Sequence, residues 1–233
     1  MLKIKLFMDG AEINQMLAGA KDPNIKGFTT NPTLMKKAGI NNYEKFAREA
    51  IAAIPDKSIS FEVFSDDLKN MEREARIISS WKGNTYIKIP IMNTKGESTI
   101  PLIKKLSAEG FSLNITAVFT LDQTNEIANN INKNARTIVS IFAGRVADTG
   151  VDPMPMMKEA INILKPNKNA ELLWASPREL LNIFHAEECG CHIITATNDI
   201  LKKLTFVGKN LTEFSRETVQ MFYDDAQAAG FKL

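Results

Sequence analysis

The residue best placed to act as a nucleophile is a lysine between two isoleucines, in Tyr86-Ile87-Lys88-Ile89-Pro90. Successive side chains of a strand face opposite ways, so if Ile87 and Ile89 pack against helices, Lys88 points inward near the strand's carboxyl end. Burial disfavours an ammonium ion, and the free amine is the nucleophile that Schiff-base chemistry needs. The same phase test on Ser60-Phe61-Glu62-Val63 sends Glu62 inward beside it as a proton carrier. Neighbouring strands run about 5 Å apart, close enough for amine and carboxylate to share one site. Asn114 and Thr116 flank an outward Ile115, Ser140 and Phe142 flank an outward Ile141, and the first strand ends at Asp9. Asn31 joins this rim in Thr29-Thr30-Asn31-Pro32-Thr33, where Pro32 suits the first turn of a helix. Two arginines, Arg145 in Phe142-Ala143-Gly144-Arg145 and Arg178 in Ala175-Ser176-Pro177-Arg178, offer guanidinium forks to a phosphate. The hydroxyl of Ser176 and the N–H groups of a helix starting near Pro177 can add to them. The competing structural readings are a buried Lys88–Glu62 pair that only holds the fold and two surface salt bridges.

Eight strand-like runs must position these residues, beginning near Lys3, Ile25, Ser58, Thr85, Leu113, Thr137, Glu171 and His192. Amphipathic stretches separate them, at 11–17, 43–54, 68–81, 100–109, 122–131, 156–164, 179–188 and 198–204. Strict alternation favours a parallel sheet, and eight units in 233 residues with 44% hydrophobic content fit a single α/β domain, a (β/α)8 TIM barrel. An extra C-terminal helix over 212–229 is expected to pack on the barrel or on a neighbouring subunit, through Phe214, Val219, Phe222 and Tyr223. A net charge of +2, spread without a basic run, argues against nucleic acid, and no apolar run reaches a membrane span. The expected protein is cytoplasmic. Cys189 and Cys191, with His185 and His192, resemble metal ligands only in type; their spacing is irregular and they fall on the barrel face away from the chemistry, so no metal is expected.

The ordered set 27–34 (Gly-Phe-Thr-Thr-Asn-Pro-Thr-Leu), Ile87-Lys88-Ile89-Pro90, Leu106-Ser107-Ala108-Glu109-Gly110, Asn114-Ile115-Thr116 and Gly144-Arg145 resembles the short-chain branch of the transaldolase family, which also holds the fructose-6-phosphate aldolases. The resemblance implies sugar-phosphate substrates, no cofactor and a homo-oligomer, a pentamer or decamer. It implies that Lys88 forms the Schiff base, that Glu62 relays protons through a water held by Thr116, and that Asp9 assists proton transfer. Asn31, Asn114 and Ser140 would orient hydroxyls, Phe142 would shape the substrate site, and Arg145, Ser176 and Arg178 would hold the phosphate. Glu62 and Phe142 match the transferases, whereas the aldolases carry Gln and Tyr there. Gly10 after Asp9, Ile141, and the segments 147–153 and 195–199 depart from the family pattern, all at the mouth of the barrel.

Overall fold

A computed structural model describes residues 2–232. It divides into two compact units, one ending at Leu201 and one starting at Lys202. In the first, β1 (Lys5–Asp9), β2 (Ile25–Thr29), β3 (Ser58–Glu62), β4 (Thr85–Pro90), β5 (Leu113–Val118), β6 (Thr137–Ile141), β7 (Ala170–Trp174) and β8 (Ile193–Thr197) form a closed barrel in chain order. Every neighbouring pair is parallel, including β1 with β8. The helices of this unit are α1 (Ile13–Lys21), α2 (Pro32–Lys37), α3 (Tyr43–Ala53), α4 (Leu68–Ser80), α5 (Ile100–Ala108), α6 (Leu121–Asn130), α7 (Ala143–Ala147), α8 (Met154–Leu164), α9 (Leu181–Glu188) and α10, whose first residue is Asn198. Strand starts agree with the sequence reading to within about two residues. The short α2 starts at Pro32, where the sequence reading places the first turn of a helix, whereas α7 has no counterpart in that reading; each occupies a single loop at the barrel mouth.

The two-residue period of the strands sorts the interior. Phe7, Tyr86, Ile138, Leu173, Ala175 and Ile193 form one buried cluster, with Phe142 partly buried against it. Asp9, Lys88, Ser140 and Thr195 each lie two residues beyond a member of that cluster, so the same inward phase leads from an apolar floor to a polar mouth about 6–7 Å higher. The opposite phase is mainly apolar: Ile87, Ile89, Ile115, Ile141, Leu172 and Trp174 are all buried.

The floor depends on one missing side chain. A Cβ on Gly27 would lie 2.6 Å from Phe7 Cζ and 2.6 Å from Ser58 Oγ. Gly27 thus leaves the space that the Phe7 ring fills. On β5 the register with β6 slips between Ile115 and Val118, and Ala117 takes a positive φ of 55°. This bulge follows Thr116 directly and turns the chain at the mouth.

The second unit holds a 3-10 turn (Lys203–Phe206) and α11 (Leu211–Ala228), capped by Asn210 Oδ1, which accepts from the N–H groups of Thr212 and Glu213. Leu211, Val219, Phe222 and Tyr223 are exposed. Among the described residues no helix is long and apolar enough to cross a membrane.

Gly27→Ala should destabilise the barrel by about 1–3 kcal/mol, the usual cost of overpacking a filled core. Denaturant unfolding measures it, and adding Phe7→Leu should recover part of the loss.

Candidate active site

Lys88 is 6% exposed and its neighbours are specific. Its Nζ lies 3.0 Å from Glu62 Oε2 and donates a 2.9 Å hydrogen bond to the Thr30 carbonyl. The β3–β4 register sets Glu62 directly beside Lys88, as the sequence phase requires. Tyr43 fixes this end of β3 from behind, its hydroxyl donating to the Glu62 carbonyl at 3.0 Å.

One layer of amide and hydroxyl groups crosses the interior. Asn114 Nδ2 donates to Ser60 Oγ at 3.0 Å, and Asn114 Oδ1 accepts from Ser140 Oγ at 2.7 Å. All three are buried, so this chain locks Asn114 in one amide orientation. The β4–β5 register sets Asn114 beside Lys88 and Thr116 beside Pro90. Thr116 Oγ1 is buried without a hydrogen-bond partner among the described residues, a hydroxyl available to a substrate or a water.

Asp9 stands on β1, where one oxygen accepts from Thr29 Oγ1 at 2.7 Å and the other faces Asn31 Nδ2 at 3.4 Å. Asn31 caps α2, with Oδ1 accepting from Leu34 N–H at 3.0 Å, which leaves only its N–H side for Asp9. Burial raises the pKa of Asp9; Lys88, Thr29 and Asn31 oppose that shift and Glu62 adds to it. Asp9, Glu62 and Lys88 therefore lie within one electrostatic neighbourhood.

Phe142 precedes α7, with its ring 5.8 Å from that of Phe119 and under the Arg145 guanidinium at 5.9 Å. The two arginine loops are pressed together: a Cβ on Gly144 would sit 1.6 Å from the Ser176 carbonyl oxygen, and Ser176 itself takes a positive φ of 60°. Arg178 Nε donates to Asp148 Oδ1 at 2.9 Å, and its Nη2 is also bonded to that carboxylate. The bond to Arg178 holds Asp148 below its usual carboxylate range, and the charge of Arg145 works in the same direction. Arg145, Arg178 and Asp148 thus form one charged group at the mouth. The N–H groups after Pro177 are a correction. The helix there starts at Leu181, and the Arg178 and Glu179 N–H groups both donate to Asn182 Oδ1, so they are already committed.

Sequence reasoning missed Ser60, Thr29, Thr30 and Thr195 as site residues. The phase test already applied to other strands would have found Thr29 on β2 and Thr195 on β8; Thr30 acts through its backbone carbonyl, which no side-chain pattern reports. Cys189 and Cys191 are buried free thiols, and burial pushes Cys189 up to about 11. Among the described residues no group of three or more His, Cys, Asp or Glu side chains could hold a metal.

The closed barrel of eight parallel strands is a TIM barrel. In fold it is similar to the solved structure described as "Native KDPGal structure" (TM-score 0.55, 11% identity, 83% of this chain and 82% of the other). It is similar also to a mandelate oxidase mutant carrying an FMN adduct (TM-score 0.58, 11% identity, 83% of this chain and 65% of the other). The chain belongs to the transaldolase/fructose-6-phosphate aldolase family, whose model matches residues 6–233. Relatives include a "Probable transaldolase" of Thermoanaerobacter sp. (strain X514), 32% identical over 99% of this chain and 100% of the relative. A "Probable transaldolase 2" of Listeria monocytogenes is 33% identical over 86% of this chain and 88% of the relative.

An acid whose folded-state pKa is raised favours folding while protonated and loses that contribution as pH climbs through the folded value. Asp9→Asn should therefore raise the melting temperature at pH 7, with the gain shrinking as pH falls toward about 4, the ordinary range of an aspartate. Melting curves across that range check both the sign and the trend.

Proposed function

We propose that this enzyme transfers a dihydroxyacetone unit between sugar phosphates through a Schiff base on Lys88. The observation that carries the reading is the Lys88–Glu62 contact of 3.0 Å at the C-terminal mouth of the barrel, the face where enzymes of this architecture place their chemistry. A proton passed from the Lys88 ammonium to Glu62 leaves the amine, which attacks the ketone carbon of a ketose phosphate. The carbinolamine loses water, with Glu62 returning the proton to the departing hydroxyl, directly or through a water on Thr116. In the resulting iminium ion, Asp9 takes the proton of the hydroxyl on the fourth carbon. The bond between the third and fourth carbons breaks, an aldose phosphate leaves, and the electron pair is held as an enamine on Lys88. Addition of that enamine to a second aldehyde, with Asp9 returning its proton to the new alkoxide, gives a new iminium ion, and water adding to its carbon breaks the C–N bond, releases the product ketose phosphate and regenerates Lys88.

Protonation of the enamine would instead release free dihydroxyacetone, the aldolase outcome. Phe142 argues for transfer, because a phenylalanine ring offers no O–H at the mouth. Asn31, Asn114 and Ser140 hold substrate hydroxyls or the groups that do, while Arg145, Ser176 and Arg178 hold the phosphate in place of Asp148. The same reading assigns the enzyme to the cytoplasm and to a ring of five or ten subunits, with α11 against a neighbouring copy. Its support is the exposure of Leu211, Val219, Phe222 and Tyr223.

Borohydride reduction in the presence of fructose 6-phosphate should leave a mass adduct on the peptide containing Lys88 and none in Lys88→Met; an adduct elsewhere would remove the mechanism. Erythrose 4-phosphate should be consumed as acceptor, and steady release of free dihydroxyacetone from fructose 6-phosphate alone would assign the aldolase activity instead. Arg178→Ala should raise KM for phosphorylated donors about 10- to 100-fold, the weight of a lost charged hydrogen bond, and leave the KM for dihydroxyacetone unchanged.

A further inference from the structure

The peptide that joins Glu62 to Val63 is held at both of its ends, by two different means. Its N–H belongs to the sheet, where Val63 N–H donates to the Lys88 carbonyl at 3.0 Å. Its C=O does not. Along a parallel strand the backbone groups of alternate residues turn to opposite neighbours. On β3, the N–H groups of Ile59 and Val63 bond to Asn84 and Lys88, while the Ser60 carbonyl turns the other way and accepts from Thr30 N–H at 3.3 Å, just past the end of β2. The Glu62 carbonyl, two residues further on, faces that same side, and the next N–H of the ladder would come from residue 32. Residue 32 is proline, which has no N–H. The Glu62 carbonyl therefore needs a donor from outside the sheet, and it accepts from the Tyr43 hydroxyl at 3.0 Å.

Tyr43 has little freedom to leave. It is the first residue of α3, whose cap Asn42 accepts from Lys45 N–H at 2.9 Å. Its ring meets Phe61, Phe64 and Trp81 edge-on, with centroids 6.1, 4.5 and 5.6 Å away. Phe61 marks the outward side of β3, opposite to Glu62, and the proposed reaction makes no use of this hydroxyl.

We propose that Tyr43 is a positioning residue for the proton carrier: its hydroxyl replaces the donor that Pro32 lacks, fixes the 62–63 peptide, and so sets the direction in which the Glu62 side chain leaves the strand toward Lys88. The inference rests on the proposed proton exchange between those two side chains. Glu62 Oε2 and Lys88 Nζ are 3.0 Å apart, and a peptide bonded on one side only can tilt about that bond. A tilt that carried the carboxylate away by about 1 Å would take it out of hydrogen-bonding reach.

Tyr43→Phe keeps the ring and its edge contacts and removes only the donor. With saturating fructose 6-phosphate, the rate constant of Schiff-base formation, read by rapid borohydride quenching, should fall about 10-fold in this variant. That is part of the roughly 100-fold or more that a positioned acid–base group contributes, and Glu62→Ala should lose about the whole of it. Adding Tyr43→Phe to Glu62→Ala should change the rate constant by less than about twofold, because the side chain being positioned is gone. A loss confined to enzyme that carries Glu62 supports the proposal. An unchanged rate constant in Tyr43→Phe overturns it, as does an equal loss with and without the Glu62 side chain, which is what a general structural role predicts. Should Tyr43→Phe leave little folded enzyme, the amplitude of trapped protein falls but the rate constant of the folded fraction still decides. Absence of any adduct in the unsubstituted enzyme removes the reaction, whereas a normal rate in Tyr43→Phe removes the role of Tyr43 alone.

Discussion

The barrel has to hold a lysine and two carboxylates away from water, and much of its construction follows from that. Lys88 donates to Glu62 and to the Thr30 carbonyl, which matches the ammonium with one charge and one dipole. Such a pair does not stabilise a protein relative to apolar packing, since desolvating two ions offsets their attraction; breaking it by removing one partner costs about 3–5 kcal/mol. Stability has to come from elsewhere. It comes from the outward layer of Ile87, Ile89, Ile115, Ile141 and Leu172 and from the floor around Phe7 and Ile138, all buried. Each such side chain contributes about 1.5–3 kcal/mol on burial. The polar mouth is thus carried by two apolar layers, one beneath it and one around it.

Within the mouth, the polar residues divide by whether their hydrogen bonds are already committed. Asn114 is bonded on both sides, to Ser60 and Ser140, and Asn31 uses its carbonyl oxygen on the first turn of α2. These residues form a rigid wall. Among the described residues Thr116 Oγ1 has no partner, and Asp9 shares the electrostatic neighbourhood of Lys88. Rigidity in the committed set is what gives these two a defined geometry, because a side chain with two fixed partners cannot rotate away when substrate binds.

The inward phase was legible because strands are strictly alternating: Ile87 and Ile89 around Lys88, or Phe61 and Val63 around Glu62, determine direction with no knowledge of the fold. Eight such runs made the closed barrel readable as well. Thr29 and Thr195 escaped notice because a threonine suits either face of a strand, although Phe28 beside the one and Ile194 and Ala196 around the other set the same inward phase. Two features lay beyond any pattern in the chain. One is the carbonyl of Thr30, an acceptor that every residue possesses. The other is the commitment of the N–H groups after Pro177 to Asn182, which depends on the loop conformation rather than on residue type.

The two ends of the site are built by different means, and the difference suits their proposed tasks. At the lysine end the reacting side chains sit on strands and are enclosed by the barrel, so their geometry survives changes of substrate. At the arginine end the groups sit on loops held by the close approach of Gly144 to Ser176, and Arg178 is paired with Asp148 in the open. Exposed pairs of this kind contribute at most about 1 kcal/mol, so on the proposed reading an incoming phosphate, with more charge and more acceptor oxygens, would displace the carboxylate at little cost. Until then Asp148 pairs with the guanidinium. A sugar phosphate would accordingly meet a fixed nucleophile and an exchangeable anchor, which fits a reaction in which one phosphorylated aldose has to leave before another enters.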